Sequence, residues 1–300
     1  MKNIKVANAP CSWGVLEFEL EEKTNHFGQV LDEMVLAGYA GTELGDWGFM
    51  PTDPDKLQNE LTKRNLTMLA AFVPVDLSVQ SAHQEGIESA VKTAKLLAEV
   101  SSHPFIVLSD DNGKNATRTK MAGRIQPEHQ LSESQWQTFT AGAEAVARAV
   151  LEETGVKTVF HHHCAGFVET PAEIDRFLDS TNPLLIGLCL DTGHYTFGGG
   201  DALAAYKKHA ARIWHVHFKD CDSQLAAQSR TKEWDYFESV RMGIFCELGK
   251  GEVDFANIAH ELQDRKYSGW IVVEQDVLPG MGTPLESAIR NRTFLQNIGI

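Results

Sequence analysis

Four apolar runs of this chain end in side chains that bind metal ions or move protons. Thr158-Val159-Phe160 runs into His161, His162 and His163. Leu188-Cys189-Leu190 delivers Asp191, then Thr192, Gly193 and His194. Ile213-Trp214 leads through His215, Val216 and His217 to Phe218, Lys219 and Asp220, and Trp270-Ile271-Val272-Val273 stops at Glu274. Side chains alternate along a strand, so His161 and His163 share one face while His162 takes the other. His215, His217 and Lys219 share a face in the same way, as do Val272 and Glu274. Taken singly, such residues have ordinary structural jobs: a hydrogen bond for an imidazole, a cap or Asx-turn for Asp191 ahead of Gly193. Taken together, His161, Asp191, His217 and Glu274 point to four ligands converging on one metal. Two imidazoles and two carboxylates suit Mn2+, Co2+, Fe2+ or Zn2+ better than Ca2+ or a thiolate-rich structural zinc site. Neutral imidazoles would leave a bound divalent ion at zero formal charge, where three carboxylates would leave a negative one. This set should therefore polarise a bound carbonyl more strongly, which helps to stabilise an enolate.

The elements that must deliver these groups follow from periodicity and punctuation. A first strand over 4–9 is closed by Pro10. Phe27, Val30, Leu31, Met34 and Val35 recur at helical spacing and predict a helix over 24–37, ended by Gly38. A short strand covers 40–44, Pro54 opens a helix to about 64, and a third strand over 66–73 is stopped by Pro74. A helix over 84–100, a strand at 105–108 and a polar loop over 109–131 follow. Ser132, with Gln135 three positions on, has the spacing of a capping box and opens a long helix to about 153. Strands at 156–161, 184–190, 212–218 and 269–274 then alternate with helices at 171–180, 201–210, 254–265 and 284–297, and a second long loop covers 219–251.

Eight strand–helix pairs in one series predict an α/β fold, a single (β/α)8 barrel over residues 1–300. A doubly wound sheet would more often carry a Gly-rich phosphate turn after its first strand, and Pro10-Cys11-Ser12-Trp13-Gly14 is not one. In a barrel every residue just past a strand's C-terminal end faces one mouth, which is where the clusters lie. The loops 109–131 and 219–251 are longer than connections need to be; lids are the usual reason for such length, and whether these two act as lids is left open.

Composition limits the partners. The 300 residues carry a formal net charge of −14, which argues against a surface built for nucleic acid or an anionic membrane. No apolar run approaches the roughly 20 residues a membrane span needs, and no signal-peptide h-region is evident. The five cysteines are odd in number and form no C-x-x-C pair, so reduced thiols and a cytoplasmic location are expected. A homo-oligomer is left open.

The motifs carry a resemblance. Gly41-Thr42-Glu43-Leu44-Gly45, the His161–His163 triplet, Asp191-Thr192-Gly193-His194, His215-Val216-His217-Phe218-Lys219-Asp220 and Gly269 through Glu274 resemble the xylose-isomerase-like barrel superfamily. Within it, the chain is more similar to the inosose (2-keto-myo-inositol) dehydratase family. The His triplet is the telling piece, because relatives that isomerise or epimerise sugars usually place a metal-binding Glu there. The Ala9–Gly14 stretch matches the dehydratase pattern only loosely.

The resemblance implies a metal-dependent hydro-lyase of inositol catabolism, with Mn2+ or Co2+ first and Zn2+ or Fe2+ as alternatives. Its substrate would be a small cyclitol or sugar, dehydrated through an enolate. Glu274, Glu43 and His163 are candidates for the base. His163 or His194 could protonate the leaving hydroxyl, and Lys219 could neutralise the enediolate or bind a hydroxyl, as His194 could too. Trp13 and Trp47 follow the first two strands and could stack on the ring. A 3-epimerase needs proton donors on both faces of its substrate, and a metal-bound imidazole at 161 is a poor base, which tilts the reading away from epimerisation. A metal-dependent isomerase or epimerase of a ketose is the alternative. A DNA-cleaving relative is disfavoured by the charge and by Ala71-Phe72-Val73-Pro74, which lacks a histidine.

Overall fold

The computed structural model describes residues 4–14, 26–278 and 280–300. Nine parallel strands form one sheet: β1 (Lys5–Asn8), β2 (Gly41–Thr42), β3 (Thr67–Met68), β4 (Ala70–Val75), β5 (Phe105–Asp110), β6 (Lys157–His161), β7 (Ile186–Asp191), β8 (Ile213–Phe218) and β9 (Trp270–Val273). Their order is β3-β2-β1-β9-β8-β7-β6-β5-β4. The first and last members of that list, β3 and β4, are two halves of the third expected strand. Leu69, between them, donates its N–H to Thr42 O at 3.0 Å and accepts from Phe105 N at 2.9 Å. One strand thus changes partner from β2 to β5, and the sheet closes into the expected barrel of eight strand positions.

Pro74 does not stop this strand, contrary to expectation. Leu69 O and Val75 O both accept from the β5 side, whereas Ala70 O accepts from Leu44 N on the opposite side. Even-numbered residues therefore face β2, which ends at Thr42, so the N–H that Pro74 lacks has no strand partner to lose.

Helices alternate with the strands in chain order: α1 (Phe27–Leu36), α2 (Pro54–Arg64), α3 (His83–Val100), α4 (Ala116–Met121), α5 (Glu133–Thr154) and α6 (Pro171–Ser180). They continue as α7 (Thr192–Phe197), α8 (Ala202–His209), α9 (Ser223–Lys232), α10 (Tyr236–Arg241), α11 (Phe255–Asp264) and α12 (Pro284–Asn297). The first two residues of the helix expected from 24 lie outside the described residues. Ser132 and Gln135 form the capping box: Ser132 N donates to Gln135 Oε1 at 2.9 Å, and Gln135 N donates to Ser132 Oγ at 3.4 Å.

Alternation along the strands separates two packed layers. Outward side chains such as Ile106, Leu108, Phe160, Leu188, Leu190 and Phe218 join the helices in one large core. Inward, the small side chains of Ala7, Ala70, Val107, Val159, Cys189 and Val272 form the barrel interior, with Phe72, Phe105, Trp214 and Trp270 packed against them. The two long loops are not structureless. The first holds α4 and the second holds α9 and α10. Ala122, Phe197, Tyr236, Val240, Ile244, Phe245 and Leu278 bury a third apolar cluster, to which both loops contribute. Among the described residues all five cysteines are free thiols, and no helix is long and apolar enough to cross a membrane.

Candidate active site

Four strand ends and their apolar runs set the site. His161 ends β6, Asp191 ends β7, His217 lies near the end of β8, and Glu274 follows β9. Register stacks them: Asp191 is level with His217, and His217 with Val272, one pleat below Glu274. One donor atom from each of the four lies within 4.8 Å of those of the other three. His161 Nε2 is 3.7 Å from Asp191 Oδ2, and His217 Nδ1 is 3.0 Å from Glu274 Oε1 and 4.0 Å from Asp191 Oδ2. Two donors that share an ion at about 2.0–2.2 Å sit roughly 3–3.5 Å apart at tetrahedral or octahedral angles. The His217–Glu274 spacing falls in that range, while those to Asp191 Oδ2, at 3.7 and 4.0 Å, exceed it by a few tenths of an ångström, so Asp191 would close in slightly around an ion.

The hydrogen bonding fits as well. Asp191 spends Oδ1 on capping α7, accepting from His194 N at 2.7 Å, while its Oδ2 is buried without a partner. His217 Nδ1 is likewise buried without a hydrogen-bond partner. Buried acceptors are ordinarily satisfied, so the unpartnered Asp191 Oδ2, beside a His217 nitrogen turned toward two carboxylates, suits a bound cation. The cap reading and the ligand reading of Asp191 are therefore compatible, one for each oxygen. Cys189 also lies beside His161 and His217, but burial pushes its thiol up to about 12 and withholds the thiolate.

The electrostatics separate the carboxylates. Burial disfavours charge on Glu274, yet His217 and Lys219 outweigh it and hold the carboxyl well below its usual range. Burial raises Asp191, partly offset by Lys219. Lys219 Nζ stands 3.4 Å from both Glu274 Oε2 and Asp276 Oδ1, and Asp276 and Glu274 overcome its burial to keep it charged. Glu43 follows β2, where its Oε1 accepts from His215 Nε2 at 2.7 Å and from His217 Nε2 at 3.0 Å. Burial again opposes that charge, but His217 and His215 bring the carboxyl down to about 2.

Alternation sorts the triplet. His161 and His163 line a cavity of about 690 Å3, counting the part open to solvent, together with Glu43, His217, Lys219 and Glu274. His162 turns away from it and accepts from Asp191 N at 3.2 Å. His163 Nδ1 sits 2.6 Å from Cys164 O, so it carries the proton and donates, leaving Nε2 to face Tyr236 Oη at 3.5 Å. Burial brings His163 down to about 4, so the ring is neutral near pH 7. His194 does not line the cavity. Its ring backs that of His163 at 3.8 Å between centroids, its Nδ1 accepts from Cys164 N at 3.4 Å, and its Nε2 is a buried donor without a partner.

The two tryptophans also lie away from the cavity lining. Trp13 is packed in the main core with its Nε1 donating to Glu33 Oε2 at 2.7 Å. Trp47 is exposed, with Lys92 Nζ 4.1 Å over its ring. An aromatic after a barrel strand can pack as easily as it can line, and local pattern does not separate the two. The lining residues not singled out from sequence include Cys11, Asp46, Phe72, Tyr236 and Asp276. Asp276 had a signal, two positions after Glu274 on the same alternating face. Tyr236 had none, since it comes from α10 inside the second long loop.

Residues 31–297 match the family model described as the xylose isomerase-like TIM barrel. The inosose dehydratase of Clostridium perfringens (strain 13 / Type A) is 30% identical over 294 residues, covering 98% of this chain and 97% of that protein. The inosose dehydratase of Salmonella typhimurium (strain LT2) is 31% identical over 301 residues, covering 99% and 97%. Among solved structures, the IOLI protein with a bound zinc atom superposes with a TM-score of 0.72 at 14% identity, over 98% of each chain.

Proposed function

Because the chain belongs to the xylose isomerase-like TIM barrel family, we propose that it is a metal-dependent inosose dehydratase. Identity of 30–31% over nearly the full length to inosose dehydratases carries the reading, and the site is chemically suited to it. His161, Asp191, His217 and Glu274 would hold the ion. A divalent ion in that set supplies Lewis-acid polarisation of a ketone oxygen and stabilises developing enolate charge.

The chain's own residues supply the rest. Glu274 lines the cavity and takes the proton beside the ketone, with Lys219 close to its second oxygen. His163 and Tyr236 share a proton between Nε2 and Oη, and this pair passes one to the departing hydroxyl, which leaves as water. The proton gained at Glu274 and the one given up by the pair balance. Asp46 and Asp276 can accept hydrogen bonds from ring hydroxyls, and Phe72 offers an apolar wall. Among the described lining residues Lys219 is the only ammonium or guanidinium group, and two carboxylates already engage it. A neutral polyol ketone suits this cavity better than a sugar phosphate.

The test is a substrate panel assayed with added Mn2+, Co2+ or Zn2+. Ultraviolet absorbance reports dehydration and NMR reports isomerisation. Scyllo-inosose should be dehydrated, while free and phosphorylated ketohexoses should be left largely untouched. Rapid epimerisation of ketohexoses with inosose unchanged would replace this reading by the epimerase one.

A further inference from the structure

The β2 end bears a carboxylate whose geometry is that of a fixing group. We propose that Glu43, held in turn by His215, is a positioning residue that sets which nitrogen of His217 faces the metal centre. The inference rests on the reading that His161, Asp191, His217 and Glu274 hold one divalent ion.

An imidazole offers a metal only the nitrogen that carries no proton, and the partner of its other nitrogen decides which one that is. Nε2 of His217 is 3.0 Å from Glu43 Oε1. A carboxylate only accepts, so this contact keeps a proton on Nε2 and leaves Nδ1 as the nitrogen whose lone pair an ion would take, displacing any proton there. Nδ1 is the atom that faces Glu274 and Asp191 without a hydrogen-bond partner.

The same Oε1 accepts from His215 Nε2 at 2.7 Å. His215 lies one pleat deeper on β8, level with Cys189, buried against the Phe105 ring and outside the cavity lining. It does not reach the cavity, and its hydrogen bond is to Glu43. The alternation that puts His215 and His217 on one face thus has a use: the lower ring holds the carboxylate that holds the upper ring. Glu43, His215 and His217 also have the spacing of a small metal group. Two hydrogen bonds of ordinary length to one oxygen satisfy those three donor atoms without an ion, which favours the positioning role.

The full-length protein would be titrated with Zn2+ and Mn2+ against a competing chelator, alongside Glu43→Gln, His215→Leu and His215→Gln, with thermal melts to verify folding. Loss of an outer-shell partner costs roughly 10–100-fold in metal affinity, and that is the drop expected for Glu43→Gln, with one ion per chain retained. His215→Leu should fall between, and His215→Gln, whose amide can still donate to Glu43, should stay near wild type. Saturating metal should restore most of the turnover of Glu43→Gln, which removal of a catalytic base would not allow. Nitrogen-15 shifts of the zinc-loaded protein should show His217 protonated at Nε2 in the wild type and less uniformly so in Glu43→Gln. Unchanged metal affinity in Glu43→Gln, turnover that excess metal does not rescue, or two ions in the wild type with one lost in the variant would each overturn this inference alone. A wild type that takes up no ion overturns the metal reading beneath it as well.

Discussion

Arg118 offers a sharp test of how the mouth of the barrel is held. It lies on α4, in the first long loop, and is fully buried. Its guanidinium pairs with both oxygens of Glu173, at 2.8 and 3.0 Å, and donates to Gly166 O at 2.7 Å and to His129 O at 3.4 Å. Glu173 in turn accepts from Glu169 N and Thr170 N, on the segment that follows the His triplet. Arg118→Met keeps much of the side-chain length but leaves a buried carboxylate without its counter-ion and two carbonyls without a donor. Breaking such a pair by removing one partner costs about 3–5 kcal/mol. An unfolding entropy of about 2.1 cal/mol/K per residue gives roughly 0.6 kcal/mol/K for a chain of 300 residues. The melting temperature should therefore fall by about 5–8 °C. Calorimetry and urea unfolding would measure it, together with hydrogen exchange across residues 162–170, which should speed up. The double variant Arg118→Met/Glu173→Gln should be less destabilised than the sum of the single changes, because no unpaired charge stays buried. A fall under about 2 °C, or strict additivity, would refute the assignment of this pair as the fastening of the loop.

Three further outcomes are expected. His163→Ala should lower turnover by about 10^2–10^4-fold while metal content by elemental analysis stays near that of the wild type, whereas Asp191→Ala should lose metal as well; equal metal loss in both would show the roles divided wrongly. His161→Glu adds a negative charge beside the ion, so dehydration should slow, and solvent deuterium should begin to exchange on the opposite face of the substrate, read by position-resolved NMR; faster dehydration would contradict the charge argument. Burial, opposed in part by the Phe167 N–H and aided by Asp76 and Asp111, raises Asp110 to about 7. The folded chain keeps a proton that the unfolded chain releases from about pH 4, so this group costs stability progressively as pH rises from about 4 to 7. Asp110→Asn should thus gain in melting temperature relative to wild type across that window and level off above it, and a flat difference would rule this out.

Much of the site was legible because barrel strands obey a period of two. That period alone separates His161 and His163, which line the cavity, from His162, which does not. It also groups His215, His217 and Lys219. Apolar runs ending in polar residues marked the strand ends, and the repetition of strand and helix implied closure, because parallel strands need a helix between them. Chain-local chemistry could also be read directly: the Ser132–Gln135 box and the Pro54 helix start depend on neighbours within four residues.

What pattern could not decide depends on contacts between residues far apart in the chain. Pro74 reads as a stop until the strand is seen to lose β2 as its neighbour at that level. Trp13 and Trp47 share a position after a strand, yet one is in the core and the other under a lysine, because the surrounding helices decide where an aromatic ring finds apolar surface. Glu43 and His217 are 174 positions apart, and only the closed barrel brings that carboxylate to the nitrogen that must carry the proton. Tyr236 reaches His163 because the two long loops bury a common apolar cluster. Sequence spacing determines which side chains share a face; the choice of partner for each donor and acceptor is made by the fold, since a hydrogen bond requires its atoms within about 3 Å however far apart they lie along the chain.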